Sequence, residues 1–461
     1  MTAQAKCIID LNAIKHNLQQ IKNLAQGQKI IAMVKSNAYG HGLLEICQQL
    51  GSEITLGLIE IADALKLREN NFTQNIILMT GPSSEEDVIK ATKYDLDLVL
   101  HHTYQIKLLQ QARIDKPIVA WLKINTGMNR LGFTINEAVT NYNLLLKDNN
   151  IATVNIISHL SSPDDPGSSA CTKQLSNIKK LNSVFPNAEF SFYNSAGLLN
   201  NLNPKANWVR PGVMLYGISP LQDKSAAELN LQPAMTLQAP IISIHKVNKG
   251  DCIGYGATYE CLQDMTIACI KLGYGDGYLR CTKAGTPVKY KNILCPLVGR
   301  VSMNMITVDI SKVATAKIND LVTIWGDGLP IETIAAGANT IAYELITRLN
   351  PEIKKEYKKS ELGVIGNNMN QIKMPELDAV LWMCRRGMLE LDLILNGFTR
   401  DCYKQLHDTQ KNQLISLLSY DDPVLYDILV KKTKTPGASV AEIVTMINQH
   451  ILNPSAKFLF D

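Results

Sequence analysis

Residues 30–35 read Ile-Ile-Ala-Met-Val-Lys, an apolar run that ends on a lysine. An unbroken run of this kind is the pattern of a strand buried on both faces. A buried ammonium is costly unless it is paired or deprotonated. Desolvation lowers a lysine pKa and makes the amine a nucleophile able to form a Schiff base with an aldehyde. From Lys35 alone, a side chain emerging into water at a strand end is equally open. The elements around it decide between the two.

Eight apolar runs succeed one another at 30–35, 54–59, 75–81, 95–101, 117–125, 151–159, 189–194 and 208–216. Amphipathic stretches such as 43–50, 61–69, 84–92 and 171–184 separate them. This alternation predicts a parallel sheet, most simply closed as a (β/α)₈ barrel. Such barrels carry their chemistry at the C-terminal ends of the strands, and Lys35, Lys123, His159, Ser195 and Arg210 all fall at or near those ends.

After about residue 228 the rhythm changes to short β-rich runs at 241–247, 265–272, 288–290, 306–309 and 321–325, broken by Gly-Asp and Asn-Lys-Gly turns. A single late helix is expected near 335–348, carrying Tyr343. Residues 350–371 are rich in Pro, Lys, Gly and Asn and read as a linker. Beyond them strand signals vanish, and 377–395, 409–418, 423–430 and 440–451 have helical periodicity, the last with Ser439 and Glu442 in capping-box spacing. The expected domains are therefore a barrel over 1–227, a β-rich domain over 228–360, a linker over 361–374 and a small all-α bundle over 375–461.

Composition narrows the class. At 461 residues two or three domains are expected. A hydrophobic share of 46% and a charged share of 19% describe an ordinary globular protein, and a net charge of +4 gives no reason to expect nucleic acid or an anionic membrane. No apolar stretch approaches the ~20 residues that span a bilayer, and residues 1–6 lack a hydrophobic signal core. The ten cysteines are scattered without metal-ligand spacing, which suits a reducing cytoplasm and no structural metal.

Motifs recur in order along residues 5–360: Ile-Asp-Leu-Asn-Ala at 9–13, Val-Lys-Ser-Asn-Ala-Tyr-Gly-His-Gly at 34–42, and Lys-Ile-Asn-Thr-Gly-Met-Asn-Arg-Leu-Gly at 123–132. Asn-Ser-Ala-Gly at 194–197, Arg-Pro-Gly at 210–212, Gly-Tyr-Gly-Ala-Thr-Tyr at 254–259, Gly-Tyr-Gly-Asp-Gly-Tyr at 273–278 and Val-Gly-Arg-Val-Ser-Met-Asn at 298–304 follow. Together they resemble the alanine racemases, pyridoxal-phosphate enzymes built on a barrel plus a β domain. The resemblance implies a homodimer with shared active sites that interconverts L-alanine and D-alanine and supplies D-alanine for peptidoglycan.

Racemisation removes the α-proton from one face of the substrate and returns one to the other, so two bases are needed. By resemblance Lys35 holds the cofactor aldehyde and is one base, and Tyr255, reaching in from the partner subunit, is the other. A phenol titrates near ~10, and the resemblance gives it cationic neighbours in His159 and Arg210. Arg210 also takes the place opposite the pyridine nitrogen. An arginine donates there but does not give up its proton, which disfavours a long-lived carbanion and argues for racemisation over decarboxylation. The phosphate is expected on Tyr39, Ser195, the backbone of Gly212 and Val213, and Tyr343. Arg130 and Met303 are the expected substrate-carboxylate contacts, with Arg130 also on the cofactor phenolic oxygen. Lys123 matches a lysine often carbamylated in the family, whose added carboxylate orients Arg130.

Two departures stand out. Asn304 occupies a place where the family usually has Asp, and Leu160-Ser161 follows His159 where Phe-Ala is usual. They bear on substrate breadth, so a racemase of broader specificity is one alternative. A non-catalytic pyridoxal-phosphate carrier is another, although such proteins resemble the barrel alone and lack the motif around Tyr255.

Near the C-terminus, Arg-Arg-Gly-Met-Leu-Glu-Leu-Asp at 385–392 and Tyr-Asp-Asp-Pro at 420–423 resemble the succinate dehydrogenase assembly factors, small helical proteins that promote flavin attachment to the flavoprotein subunit. The resemblance covers about 376–453 and marks Arg386, Gly387 and Glu390 as a flavoprotein-binding face, Arg386 and Glu390 being four apart on an expected helix. A passive oligomerisation module is the alternative for these helices.

Overall fold

The computed structural model describes residues 4–202, 206–358, 377–386, 388–418, 420, 422–432 and 440–452. The expected linker, Gly387 and Ser439 lie outside them. The chain divides into two compact units, residues 1–363 and 364–461.

The first unit opens on β1 (Lys6–Asp10), whose last residue caps the helix Leu11–Ala25 by accepting from the N–H groups of Asn12 and Ala13. A closed ring of parallel strands follows: β2 (Lys29–Met33), β3 (Thr55–Leu58), β4 (Ile76–Leu78), β5 (Leu96–Leu100), β6 (Ile118–Lys123), β7 (Ile151–Ile157), β8 (Phe190–Tyr193) and β9 (Trp208–Val209). Pairing of Ile30 with Val209 closes it. Ile31, Leu56, Leu98, Leu122, Ile156 and Phe192 are fully buried, as a barrel packed on both faces requires.

Two of the expected runs end early. The run at 30–35 is strand only to Met33. The run at 208–216 is strand for Trp208 and Val209 alone, after which Pro211 has no N–H to offer a ladder and the chain turns into a short 3-10 helix, Val213–Tyr216.

The β-rich region comprises β10 (Met235–Val247), the short pair β11 (Cys252–Ile253) and β12 (Tyr259–Glu260), β13 (Met265–Ile270), β14 (Pro287–Tyr290), β15 (Ile293–Pro296), β16 (Ile306–Asp309), β17 (Leu321–Trp325) and β18 (Lys354–Lys358). The sheet runs β15-β14-β17-β10-β1-β18, and a register shift between Ile241 and Ser243 lets the far half of β10 pair with β13 instead. β1 thus joins this sheet, antiparallel to β10 and parallel to β18, although it precedes the barrel in sequence. The expected helix at 335–348 is two helices, Ile331–Gly337 and Ala342–Thr347. Asn339 in a left-handed conformation (φ 53°) separates them, and the Thr340 hydroxyl donates to the Glu344 carboxylate in the first turn of the second.

The second unit consists of the helices Leu377–Met383, Leu389–Cys402, Asp408–Leu418, Asp422–Leu429 and Ala441–Ile451 around a core of Leu391, Leu395, Leu414, Leu417, Leu425 and Ile447. The continuous helix expected over 377–395 is interrupted between Met383 and Leu389. There the Arg386 backbone N–H donates to Asp392 Oδ1 at 3.1 Å in place of a helical carbonyl. Arg386 and Glu390 therefore do not share a helix face.

Candidate active site

Lys35 sits just past β2, at the start of an unusual turn. Ser36, Asn37, Ala38 and Tyr39 all adopt left-handed backbone conformations, with φ of 54°, 54°, 51° and 52°. Such a run costs about 1–2 kcal/mol per residue for L-amino acids. It is held by Ala38 N–H to Val34 O at 2.9 Å, Gly40 N–H to Ser36 O at 2.9 Å and Leu43 N–H to Asn37 Oδ1 at 2.8 Å. The turn leaves Lys35 half-buried and packs the Tyr39 ring against Tyr216 and Tyr343, at centroid distances of 4.9 and 6.2 Å.

Around Lys35 the strand ends gather positive charge. Burial lowers the Lys35 pKa, and Arg130 lowers it further. Lys123, the last residue of β6, is buried. Desolvation, with Arg210, Arg130 and Lys35 adding, brings its pKa down to about 8. Arg210 is buried and fully engaged: it donates to Ser191 Oγ at 2.6 Å, to Ser158 O, and to His159 Nδ1 at 3.3 Å.

His159 departs from expectation. Burial, then the positive charges of Arg210, Lys123, Arg130 and Lys35, depress its pKa well below the usual histidine range. Its Nδ1 accepts from Arg210, so the ring is neutral with its proton on Nε2. It cannot serve as the cationic neighbour expected for a tyrosine base, and Arg210 alone keeps that charge.

Arg130 is carried by a loop folded back on β6. Phe133 N–H donates to Lys123 O at 2.9 Å and Asn125 N–H to Phe133 O at 2.8 Å. Asn125 Oδ1 accepts from the N–H groups of Gly127 and Asn129, both at 3.0 Å. A Cβ at Gly132 would lie 2.9 Å from Asn125 N and Lys123 O, so only glycine permits this crossing. Below it, Gln174 Nε2 bonds His159 O at 3.0 Å while Gln174 Oε1 accepts from Ser161 N–H and Oγ at 2.8 Å. The unusual Ser161 thus holds the support of the loop.

The residues expected to hold phosphate form a second group. Ser195 Oγ accepts from Gly212 N–H at 2.9 Å and Met214 N–H at 3.4 Å, which leaves its own hydroxyl proton to donate outward. A Cβ built on Gly212 would lie 2.8 Å from Tyr39 Oη, so the cradle closes around a glycine. Val213 N–H, at the start of the 3-10 turn, meets no acceptor among the described residues. Lys35, Lys123, Arg130 and Arg210 beside these donors form a site for anionic groups. Hydroxyl and backbone donors suit a phosphate, an arginine suits a carboxylate, and a lysine of lowered pKa suits an aldehyde. The residues therefore fit pyridoxal phosphate with an amino acid.

Tyr255 and Met303 lie elsewhere. They are 68% and 57% exposed, and among the described residues neither shares a hydrogen bond or ring contact with the barrel cluster. Tyr274 and Met305 are exposed too, and Tyr274 N–H to Ser302 O at 3.0 Å and Gly275 N–H to Met303 O at 2.7 Å tie the segment of Tyr274 to that of Met303.

Sequence reasoning missed two supporting residues. Tyr216 Oη donates to Met33 O at 2.9 Å and its ring lies between Tyr39 and His41. His41 Nδ1 donates to Tyr39 O at 2.9 Å. His41 lay inside a quoted motif, whereas Tyr216 offered no signal beyond its apolar run.

In the second unit, Arg386 is turned inward. It donates to Tyr420 O at 3.3 Å, to Asp422 Oδ1 at 3.2 Å and to Leu418 O, and so ties the junction of two helices. Glu390 is exposed, next to Met388 and Leu389, which are 36% and 70% exposed.

A barrel with a lysine of lowered pKa among phosphate donors, followed by a β domain, defines the class of barrel-type pyridoxal-phosphate proteins. Residues 9–220 match the family model described as alanine racemase, N-terminal domain, and 234–357 the C-terminal domain. Alanine racemases of Coxiella burnetii (40% identical over 76% of this chain and 98% of theirs) and Escherichia coli (biosynthetic enzyme; 38%, 77% and 99%) are similar throughout. The crystal structure of the biosynthetic enzyme from Pseudomonas aeruginosa superposes with a TM-score of 0.75 at 34% identity, covering 78% of this chain and all (100%) of that one. That of the Bartonella henselae enzyme, with covalently bound pyridoxal phosphate, gives 0.69 at 26% identity, covering 77% and 100%. The chain belongs to the alanine racemase family, isomerases that depend on pyridoxal phosphate. Residues 379–451 match the model described as flavinator of succinate dehydrogenase.

Proposed function

We propose that this protein interconverts L- and D-alanine with two bases, in a homodimer whose partner subunits complete each other's sites, and supplies D-alanine for peptidoglycan in the cytoplasm. The observation that carries the reading is the lowered pKa of Lys35 beside a phosphate cradle built of Tyr39, Ser195, Gly212, Val213 and Tyr343. Pyridoxal phosphate, when bound, supplies an aldehyde for Lys35 and an electron sink that acidifies the α-hydrogen of an amino acid.

The chain's own groups do the rest. Lys35, poised toward its neutral form, takes or returns a proton on one face of the substrate. Tyr255 of the partner subunit serves the other face. Its exposure in the single chain, and that of Met303, supports a subunit contact. Arg130 binds the substrate carboxylate, and Met303 lines the same place. Arg210, its guanidinium fixed by Ser191, Ser158 and His159, would donate to the ring nitrogen of the bound cofactor while keeping its own proton. Lys123, at about 8, has the neutral amine that adds carbon dioxide to form a carbamate, releasing a proton and giving Arg130 an anionic partner. In sequence the barrel takes 1–227 and the β domain 228–360, with β1 lent to the sheet of the latter. The linker takes 361–374 and the helices 375–461.

Lys35→Ala tests the assignment. It should abolish both racemisation and the visible absorbance of the lysine-bound cofactor in a folded protein. Retained absorbance would contradict it.

For the C-terminal helices we propose promotion of flavin attachment to the succinate dehydrogenase flavoprotein subunit, through a face that includes Gly387 and Glu390. The inward bonding of Arg386 makes it a support of that face rather than a contact. Residues 372–461, which enclose their own core, should bind the flavoprotein subunit, and Glu390→Lys should weaken binding by about tenfold or more. Unchanged affinity would remove Glu390 from the face.

A further inference from the structure

The opposite end of the barrel holds a second polar cavity, of about 580 Å³, that the reaction does not use. It opens among the N-terminal ends of β5 to β9, whereas Lys35 and Lys123 stand at C-terminal ends. Two groups inside it are unexpected in a barrel interior. Asp97, the second residue of β5, is only 8% exposed, and Asn155, on β7, only 6%.

Asp97 Oδ2 accepts from Trp121 Nε1 at 3.2 Å and from Asn75 Nδ2 at 3.1 Å, both neutral donors. Among the described residues its Oδ1 meets no donor and its charge meets no cation. The Asn155 amide, lining the same cavity, makes no hydrogen bond among the described residues. The lysines at the rim are committed elsewhere: Lys116 pairs with Asp95 at 2.5 Å, and Lys29 with Glu189 at 2.8 Å. With those pairs neutralised, the uncompensated charge of the mouth is the single negative charge of Asp97. Burial pushes the Asp97 carboxyl up to about 6, offset in part by the bonds from Trp121 and Asn75. A buried carboxylate with hydrogen bonds but no counter-ion is the costly half of an ion pair.

We propose that this mouth is a binding site for a small organic ammonium ion, held by the Asp97 carboxylate and the Asn155 amide against the wall formed by the packed indoles of Trp121 and Trp208. The indoles meet edge to face at 5.5 Å. Lys29 Nζ already lies 4.8 Å from the Trp208 ring centre, so Trp121, whose Nε1 donates to Asp97, is the indole left beside the carboxylate, and an aromatic wall next to a carboxylate is the pattern that recognises diffuse cations. A divalent metal is a poor fit. Calcium takes 6–8 oxygen ligands, magnesium needs near-ideal octahedral geometry, and among the described residues no three acidic, His or Cys side chains converge.

Tetramethylammonium chloride is the probe of choice, because a quaternary ammonium has no N–H and cannot condense with an aldehyde at the racemase site. Titrated calorimetrically into the full-length holoenzyme, against sodium chloride at equal ionic strength, it should bind saturably at one site per chain. Asp97→Asn keeps an oxygen for Trp121 and Asn75 but removes the charge, and should weaken binding by about tenfold or more. Asn155→Leu should weaken it severalfold and serves independently if Asp97→Asn does not fold. Both variants should keep wild-type racemisation, which places the loss at this mouth. Absence of saturable binding to the wild type, or equal affinity in a folded Asp97→Asn and in Asn155→Leu, would overturn the proposal.

Discussion

Lys123 is the residue whose ionisation ties the site to measurable stability. Its pKa is lowered to about 8 in the folded protein, against an unfolded value near ~10.4. Between those values the unfolded chain binds more protons than the native one, so stability rises with pH across that window and gains nothing further above it. Below about 8 the ammonium is buried among positive neighbours and its full penalty is present. Lys123→Met should therefore flatten the rise in melting temperature between pH 8 and ~10.4, measured in carbon-dioxide-free buffer. An undiminished rise in the variant would place the titration elsewhere. The gathering of Lys35, Lys123, His159, Ser195 and Arg210 at one barrel end followed from strand periodicity alone. The neutral state of His159 did not, because it depends on how many cations surround it and how deeply it is buried, and neither is written in spacing.

Among the elements, the left-handed turn at 36–39 links Lys35 to Tyr39, the residues proposed to hold the cofactor's aldehyde and its phosphate. It carries no glycine, so turn rules do not reveal it. The Ser-Asn-Ala-Tyr run reads as the loop after a strand, and only the enclosing hydrogen bonds keep it in a disfavoured conformation. The same holds for the run at 208–216, where apolar residues continued past the strand because the 3-10 turn Val213–Tyr216 is itself buried. The tight fit of that turn against Tyr39 yields a prediction for the cradle. Gly212→Ala should lower cofactor affinity by about tenfold or more by displacing the Tyr39 hydroxyl, and should cost much less in a Tyr39→Phe background, where the obstructed atom is gone. A strictly additive double-mutant cycle, measured by cofactor titration, would show that the two positions do not meet.

At the level of the whole molecule, the barrel, the β domain and the C-terminal helices were each foreseeable because their periodicities differ. The return of β1 into the sheet of the second domain was not, since a five-residue strand of alternating burial names no partner. The single chain leaves Tyr255, Tyr274, Met303 and Met305 exposed, and among the described residues Tyr255 and Met303 share no hydrogen bond or ring contact with the cationic cluster. The proposed chemistry needs both, which is why a dimer with shared sites is integral to it. The most direct measurement follows L-alanine in deuterated water with the pyridoxal-phosphate-loaded protein, recording α-deuteration and D-alanine together. The wild type should produce D-alanine deuterated at Cα, and Tyr255→Phe should keep the cofactor absorbance while impairing the two enantiomers unequally. Cofactor absorbance without exchange in the wild type, or equal impairment of both directions in Tyr255→Phe, would contradict a two-base racemase.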